Sequence, residues 1–427
     1  MSAIDWETCR DAALEEAYYR TKLPGGLELQ VLPKLGYSTA YALFSTKYGS
    51  IDTAIVYPDG SEFTLPEGTA HFLEHKLFES EDLDAFARFA KTGASANAFT
   101  GFNKTAYEFS CSEHFAENLE ILLDFVQSPY FTQATVEKEQ GIIGQEIRMY
   151  LDVPSWRIFF ELLRLLYSTH PVRIEIAGTE ESIAEISAEM LHECYRRFYH
   201  PANMILAVAG NVTKEEVGEI AARLLKPAQG APAQRRKMVD DAPPAQALTR
   251  LQMPVAAPRF LLGWKEPTAG EEPCERAYLL AELCLEALAG ETSPLYERLL
   301  NEGMINPGFG WEFLSGPGYA ASLLGGESKK PEEAAEIIRQ ALADAVQNGL
   351  DPAAFEQARR KAYGRQVMLC NDIDTLAGNL TDAYFSGETI FEKAALLRTL
   401  TPADANERLK HLFRPGFAAL AIVEPTK

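Results

Sequence analysis

The chain has 427 residues, 47% of them hydrophobic and 24% charged, a length that one hydrophobic core rarely serves, so two or more domains are expected. Its formal net charge of −21 repels phosphate backbones and anionic lipid, which argues against nucleic acid and membrane as partners. No apolar run reaches membrane-spanning length.

In chain order, the acidic start from Met1 to Cys9 has no apolar signal-peptide core, and cytoplasm is the expected location. Residues 5–20 have the spacing of an amphipathic helix, followed by a turn at Leu23-Pro-Gly-Gly26. Strands are expected at Leu27–Leu32, Tyr41–Phe44 and Thr53–Val56. A helix through His71–His75 comes next, and another from Leu83 to Lys91 ends at Gly93 as a C-cap. Ala94–Thr100 and Thr105–Phe109 read as paired strands around Gly101. Helices follow from Ser112, an N-cap, to Val126, and from about Thr135 to Tyr150 with a continuation to Leu166. The cysteines (Cys9, Cys111, Cys194, Cys274, Cys284, Cys370) are scattered without a CxxC pair and read as reduced thiols.

An internal repeat shows near the end of each half. Ser187 begins a helical stretch ending at Tyr199-His-Pro201, with the strand Met204–Ala209 after it; Thr401 begins another ending at Phe413-Arg-Pro415, with Ala418–Val423 after it. The interval from cap to proline is the same in both, which points to a duplicated domain. Between the copies, Pro227, Pro232, Pro243, Pro244, Pro254 and Pro258 mark a linker. The second half offers strands near Arg259–Trp264 and Gly318–Leu324 and helices near 273–289, 331–347 and 352–369. The expected class is α+β, with a domain at 1–226, a Pro-rich linker at 227–258 and a related domain at 259–427.

The chemistry concentrates in Glu67-Gly-Thr-Ala-His-Phe-Leu-Glu-His-Lys-Leu-Phe78. On a helix, His71 and His75 share a face one turn apart and can grip one Zn²⁺, with Glu74 beside them to handle the proton of a water. This is the HxxEH order of catalytic zinc motifs. A pair of structural histidines on a half-buried helix is the plain alternative. On the helix from Thr135, Glu139 and Glu146 lie two turns apart on one face. The remaining histidines, His114, His170, His192, His200 and His411, lack helical partner spacing and read as structural.

HxxEH followed about seventy residues later by Glu-x₆-Glu resembles the pitrilysin/insulysin-like metallopeptidases, family M16. Tyr48-Gly-Ser-Ile-Asp52 and Ala96-Asn-Ala-Phe-Thr100 extend the likeness, and the wording is similar to the YmfH-like bacterial branch. The resemblance implies two related domains, each a mixed, mostly antiparallel sheet with flanking helices, facing one another to form a chamber. It implies zinc held by His71, His75 and Glu146, with Glu74 as general base and Glu139 fixing a ligand imidazole. It also implies a peptide substrate added as a strand along Ala96, Asn97 and Ala98.

One departure stands out. Active relatives carry an Arg and a Tyr seven residues apart in the second half, and anchoring on Gly303 puts Leu299 and Asn306 in those slots. The pair is missing. A paralogous partner subunit supplying Arg and Tyr across a heterodimer interface is the favoured expectation, with a homodimer or a chain acting alone as the other possibilities. A non-catalytic assembly or scaffolding subunit is the alternative of another class; the intact His71, Glu74, His75 and Glu146 weigh against it.

Overall fold

The computed structural model of the protein describes residues 4–81, 84–228 and 230–426. The first strands are β1 (Glu7–Asp11), β2 (Glu16–Lys22), β3 (Glu28–Pro33), β4 (Ala40–Thr46), β5 (Ala54–Val56) and β6 (Glu62–Thr64). Helices α1 (Thr69–Leu77) and α2 (Ala85–Thr92) precede β7 (Ser95–Thr100) and β8 (Thr105–Cys111). Then come α3 (Phe115–Val126), α4 (Gln133–Leu151), α5 (Pro154–Leu166), α6 (Glu180–Ala184) and α7 (Ala188–Phe198), followed by β9 (Met204–Gly210) and α8 (Lys214–Leu224). The remainder begins with β10 (Leu248–Met253), β11 (Arg259–Lys265), α9 (Glu275–Ala289), α10 (Pro294–Asn301), β12 (Gly310–Gly316) and β13 (Tyr319–Glu327). It closes with α11 (Pro331–Asn348), α12 (Pro352–Leu369), α13 (Ile373–Ser386), α14 (Glu392–Leu397), α15 (Pro402–Leu412) and β14 (Ala418–Pro425).

Two large sheets organise these elements, one in the order β1-β2-β3-β9-β4-β8-β7 and one in the order β10-β14-β11-β13-β12, while β5 and β6 pair with each other as a small antiparallel sheet. The five strands of the first from β3 to the edge strand β7 repeat the second strand for strand. In the first, β3 runs parallel to β9, and β4, β8 and β7 follow antiparallel. In the second, β10 runs parallel to β14, and β11, β13 and β12 follow antiparallel. The repeated helix–Pro–strand units read from the sequence are α7 with β9 and α15 with β14. Their caps are alike: Ser187 accepts from the Met190 N–H and Thr401 from the Asp404 N–H. The fold is α+β with mixed sheets.

The chain divides into two compact units, and neither is continuous in sequence. One comprises Met1–Ile147, Glu175–Arg236 and Val367–Phe391; the other comprises Arg148–Ile174, Lys237–Gln366 and Glu392–Lys427. Each half lends the other a helix. In the first unit α13 packs on β9, β4 and β3, placing Ile373, Leu376, Ala377 and Leu380 among Tyr18, Tyr41, Leu43, Ile205 and Ala207. In the second, α5 packs on β14, β11 and β10, with Leu162 and Leu166 against Gly263. Covered on both faces, β9 is buried throughout and reads as a continuous apolar run rather than an alternating one.

The helix expected over residues 5–20 is instead the hairpin β1–β2. Asp11 Oδ1 accepts from the N–H groups of Ala13 and Leu14 at 2.8 and 3.0 Å, and Glu15 takes φ 56°, so the chain reverses where a helix would continue. Cross-strand pairing then aligns Glu7 with Arg20, whose guanidinium bonds both carboxylate oxygens at 2.9 and 2.8 Å. The expected helix start at Leu83 lies outside the described residues; α2 runs from Ala85, capped by Asp84, to the left-handed Gly93. Within 227–258, read from sequence as a linker, β10 forms the edge of the second sheet and Arg235 makes a two-pronged ion pair with Asp52.

Candidate metal centre

Helix α1 is buried on almost every side, as the apolar run Phe72-Leu73 with Leu77 requires. Its N-terminus turns at Gly68, whose φ of 86° favours glycine and where a Cβ would overlap the Ala177 carbonyl. The helix is thereby seated against the loop that carries Gly178. Helix α4 is tied to the same unit by Gln140, whose amide donates to the carbonyls of Ile183, Ala184 and Ile186. The chain of Lys76, Glu79 and Lys138 joins α1 to α4 directly: the buried Lys76 pairs with Glu79, which lies 3.7 Å from Lys138.

Between these two helices the sequence-expected residues come together. Nε2 of His71 lies 3.6 Å from Glu146 Oε1, and Nε2 of His75 lies 3.5 Å from Glu146 Oε2. One donor atom from each of the three lies within 4.8 Å of the others, and this is the cluster of metal-capable side chains found among the described residues. Glu139 Oε1 lies 3.0 Å from His75 Nδ1. His71 Nδ1 is buried without a hydrogen-bond partner. Two imidazoles and a carboxylate converging on one point form the donor set of a catalytic zinc site, so the residues fit that ion.

Glu74 stands on the same helix with its side chain nearly enclosed. Burial raises its carboxyl above the ordinary value, while the neighbouring His71 and the Thr100 hydroxyl pull the other way. Thr100 Oγ1 donates to Glu74 Oε2 at 2.7 Å. Sequence reasoning missed Thr100; alternation along β7, which puts Ala96, Ala98 and Thr100 on one face, was the signal that could have found it. For His75, burial works against the charged ring, yet the Glu139 hydrogen bond and the carboxylates of Glu74 and Glu146 raise its pKa on balance.

Ala96, Asn97 and Ala98 lie on β7, the edge of the seven-stranded sheet, paired to β8 alone. Ala96 and Ala98 pack towards the core, whereas Asn97 faces outward with its amide 3.4 Å from Glu108 Oε1. Of the other histidines, Nδ1 of His170 and of His200 accept the N–H two residues on, in short turns, and His114 precedes α3 with a left-handed backbone and no capping bond from its side chain. In the second unit Leu299 is fully buried, while the Asn306 amide donates to Glu327 and accepts from Gly308. Arg298 pairs with Glu302 one turn along its own helix.

A fold repeated in two units, with a His-His-Glu cluster in the first alone among the described residues, marks a class of two-domain peptidases. Residues 55–180 match the profile described as Insulinase (Peptidase family M16), and residues 185–362 match Peptidase M16 inactive domain. The chain belongs to peptidase family M16, in its YmfH-like branch. It is 41% identical over 403 residues, 92% of either chain, to the uncharacterized zinc protease YmfH of Bacillus subtilis. The crystal structure of an M16-like peptidase from Alicyclobacillus acidocaldarius is similar over 99% of both chains, with a TM-score of 0.91 and 37% identity. Pitrilysin, at 14% identity and a TM-score of 0.77, shares the fold over 99% of this chain and 47% of its own.

Proposed function

We propose that the chain is a zinc-dependent endopeptidase with Glu74 as general base, working as the metal-bearing subunit of a heterodimer. The observation that carries this reading is the convergence of His71, His75 and Glu146 beside the enclosed Glu74 carboxylate. Held by those three ligands, Zn²⁺ would supply Lewis acidity, lowering the pKa of a water and polarising the scissile carbonyl. Glu74 takes a proton from the water as its oxygen bonds the carbonyl carbon. It returns that proton to the amine nitrogen as the C–N bond breaks. A carboxyl raised by burial suits both steps, since it accepts a proton more readily than a solvated one. Glu139 orients the His75 ring so that Nε2 points to the ligand site.

The open edge of β7 supports a peptide bound in extended form along Ala96, Asn97 and Ala98, by main-chain bonds that demand little of the sequence. The heterodimer is supported by the second unit, where Leu299 belongs to the core and the Asn306 amide is engaged by Glu327 and Gly308. Neither position offers a cation or a phenol, so the reading assigns both to a paralogous partner. The six free cysteines suit the cytoplasm. A peptide-library digest with and without the candidate partner tests the whole reading. Glu74→Gln should keep one zinc per chain and lower kcat by about 10²–10⁴. Full activity from the chain alone would defeat the heterodimer; a chain that assembles with its partner but takes up no zinc would defeat the enzyme.

A further inference from the structure

We infer that Thr100 is the positioning residue of the general base, itself fixed by Thr105 and the Tyr48 carbonyl; this rests on the reading of Glu74 as base. Thr100 is the last residue of β7 and sits directly opposite Thr105, the first of β8. Its hydroxyl donates to Glu74 Oε2 at 2.7 Å and lies 3.3 Å from Thr105 Oγ1. Thr105 is fully buried and donates to the Tyr48 carbonyl at 2.8 Å. A hydroxyl has one hydrogen to give. That of Thr105 goes to Tyr48 and that of Thr100 to Glu74, so Oε2 already accepts one hydrogen bond and proton transfer is assigned to Oε1. The Glu74 side chain is thus held in one orientation before substrate arrives.

The seat of Thr100 is rigid for a reason visible in the backbone. The turn between β7 and β8 is gripped by the loop after β4: the N–H groups of Ser50 and Ile51 donate to the carbonyls of Gly101 and Phe102 at 3.0 and 2.9 Å. The approach is close enough that a Cβ at Gly49 would overlap the backbone of Phe102 and Asn103. Arg235 completes the clamp, bonding Asp52 through Nε and Nη2 at 2.7 and 2.6 Å and donating to the Asn103 carbonyl at 2.9 Å. The strand that would carry the peptide therefore ends on the hydroxyl that aims the base. One short element sets both the register of the substrate and the direction of the carboxylate.

Thr100→Val keeps the shape and removes the donor, and Thr100→Ser keeps the donor. Hydrogen bonds to charged groups set the scale, so Thr100→Val should lower kcat about ten- to a hundredfold. KM, zinc per chain, thermal midpoint and the Kd of a peptide for the zinc-free protein should not move. Thr100→Ser should recover most of kcat, and Thr100→Val added to Glu74→Gln should lose nothing further. Wild-type kcat in Thr100→Val overturns the inference and leaves the base reading intact, whereas lost zinc in Thr100→Val makes Thr100 a support of the metal ligands instead. A wild-type, zinc-loaded chain that cleaves no library peptide, with or without partner, overturns the base reading and this inference together.

Discussion

Glu139 Oε1 stands 3.0 Å from Nδ1 of His75, two turns of α4 before Glu146 turns its carboxylate to Nε2 of the same ring. One helix thus addresses both nitrogens of one histidine, from opposite sides. Replacing Glu139 with Gln keeps the size and removes the charge that makes the ring a better donor. Zinc affinity should fall about 10- to 100-fold, read by competition with a chelator, while the unfolding midpoint of the metal-free protein changes little.

Zinc binding should weaken on acidification earlier than an ordinary histidine site would. The pKa of His75 is raised on balance, against the opposing effect of burial, by Glu139, Glu74 and Glu146. A raised pKa means that the ring holds its proton to higher pH, and a ligand must give that proton up. Metal affinity therefore climbs until pH passes the folded-state pKa, which lies above the ordinary imidazole value of 6.5. An NMR titration of the zinc-free protein should show this shift, and Glu139→Gln should move the His75 pKa down.

In the second unit, Lys265 and Asp240 form an ion pair with both side chains almost fully buried. Burial alone would raise the Asp240 carboxyl, but the Lys265 ammonium and the N–H groups of Thr169 and His170 hold it far below the usual carboxylate range. Asp240→Ala leaves a buried cation unpaired and should cost about 3–5 kcal/mol in urea unfolding. Because the folded pKa is depressed, the stabilisation is complete above the unfolded value of 3.8 and drains away as pH falls towards the folded one. The wild-type and variant stability curves should converge in acid.

Gly68→Ala puts a Cβ into the Ala177 carbonyl at a backbone φ of 86°. Strain of this kind costs about 1–3 kcal/mol, and overlap adds to it. Because Gly68 is the N-cap of the helix that bears His71 and His75, zinc affinity should fall along with thermal stability. Exposed Gly60, also at positive φ but with nothing near its Cβ position, is the control: Gly60→Ala should show the backbone penalty without the loss of metal.

The site was legible because its residues sit at helical intervals: four between His71 and His75, seven between Glu139 and Glu146. The family likeness supplied which helix meets which. The duplicated unit could be read from Ser187 and Thr401, each a cap at the same distance from a proline. The hairpin β1–β2 reads as a helix in the sequence because Tyr18, Tyr19 and their neighbours carry apolar atoms at spacings a helix also allows. Only the turn chemistry of Asp11 and the positive φ of Glu15 separates the two. Thr100 carries no such local signal of its partner, which lies on another element, twenty-six residues earlier. The loan of α5 and α13 between units leaves no local mark at all, since an amphipathic helix does not record whose sheet it covers.

That loan has a consequence for synthesis on the ribosome. When β9 emerges, the outer face formed by Leu43, Ile205 and Ala207 has no cover, because Ile373, Leu376 and Leu380 have yet to be translated. At 5–20 residues per second the gap lasts roughly 10–35 s. For that interval the nascent first sheet shows an oily face to the cell, and it is there that a holdase would find the chain.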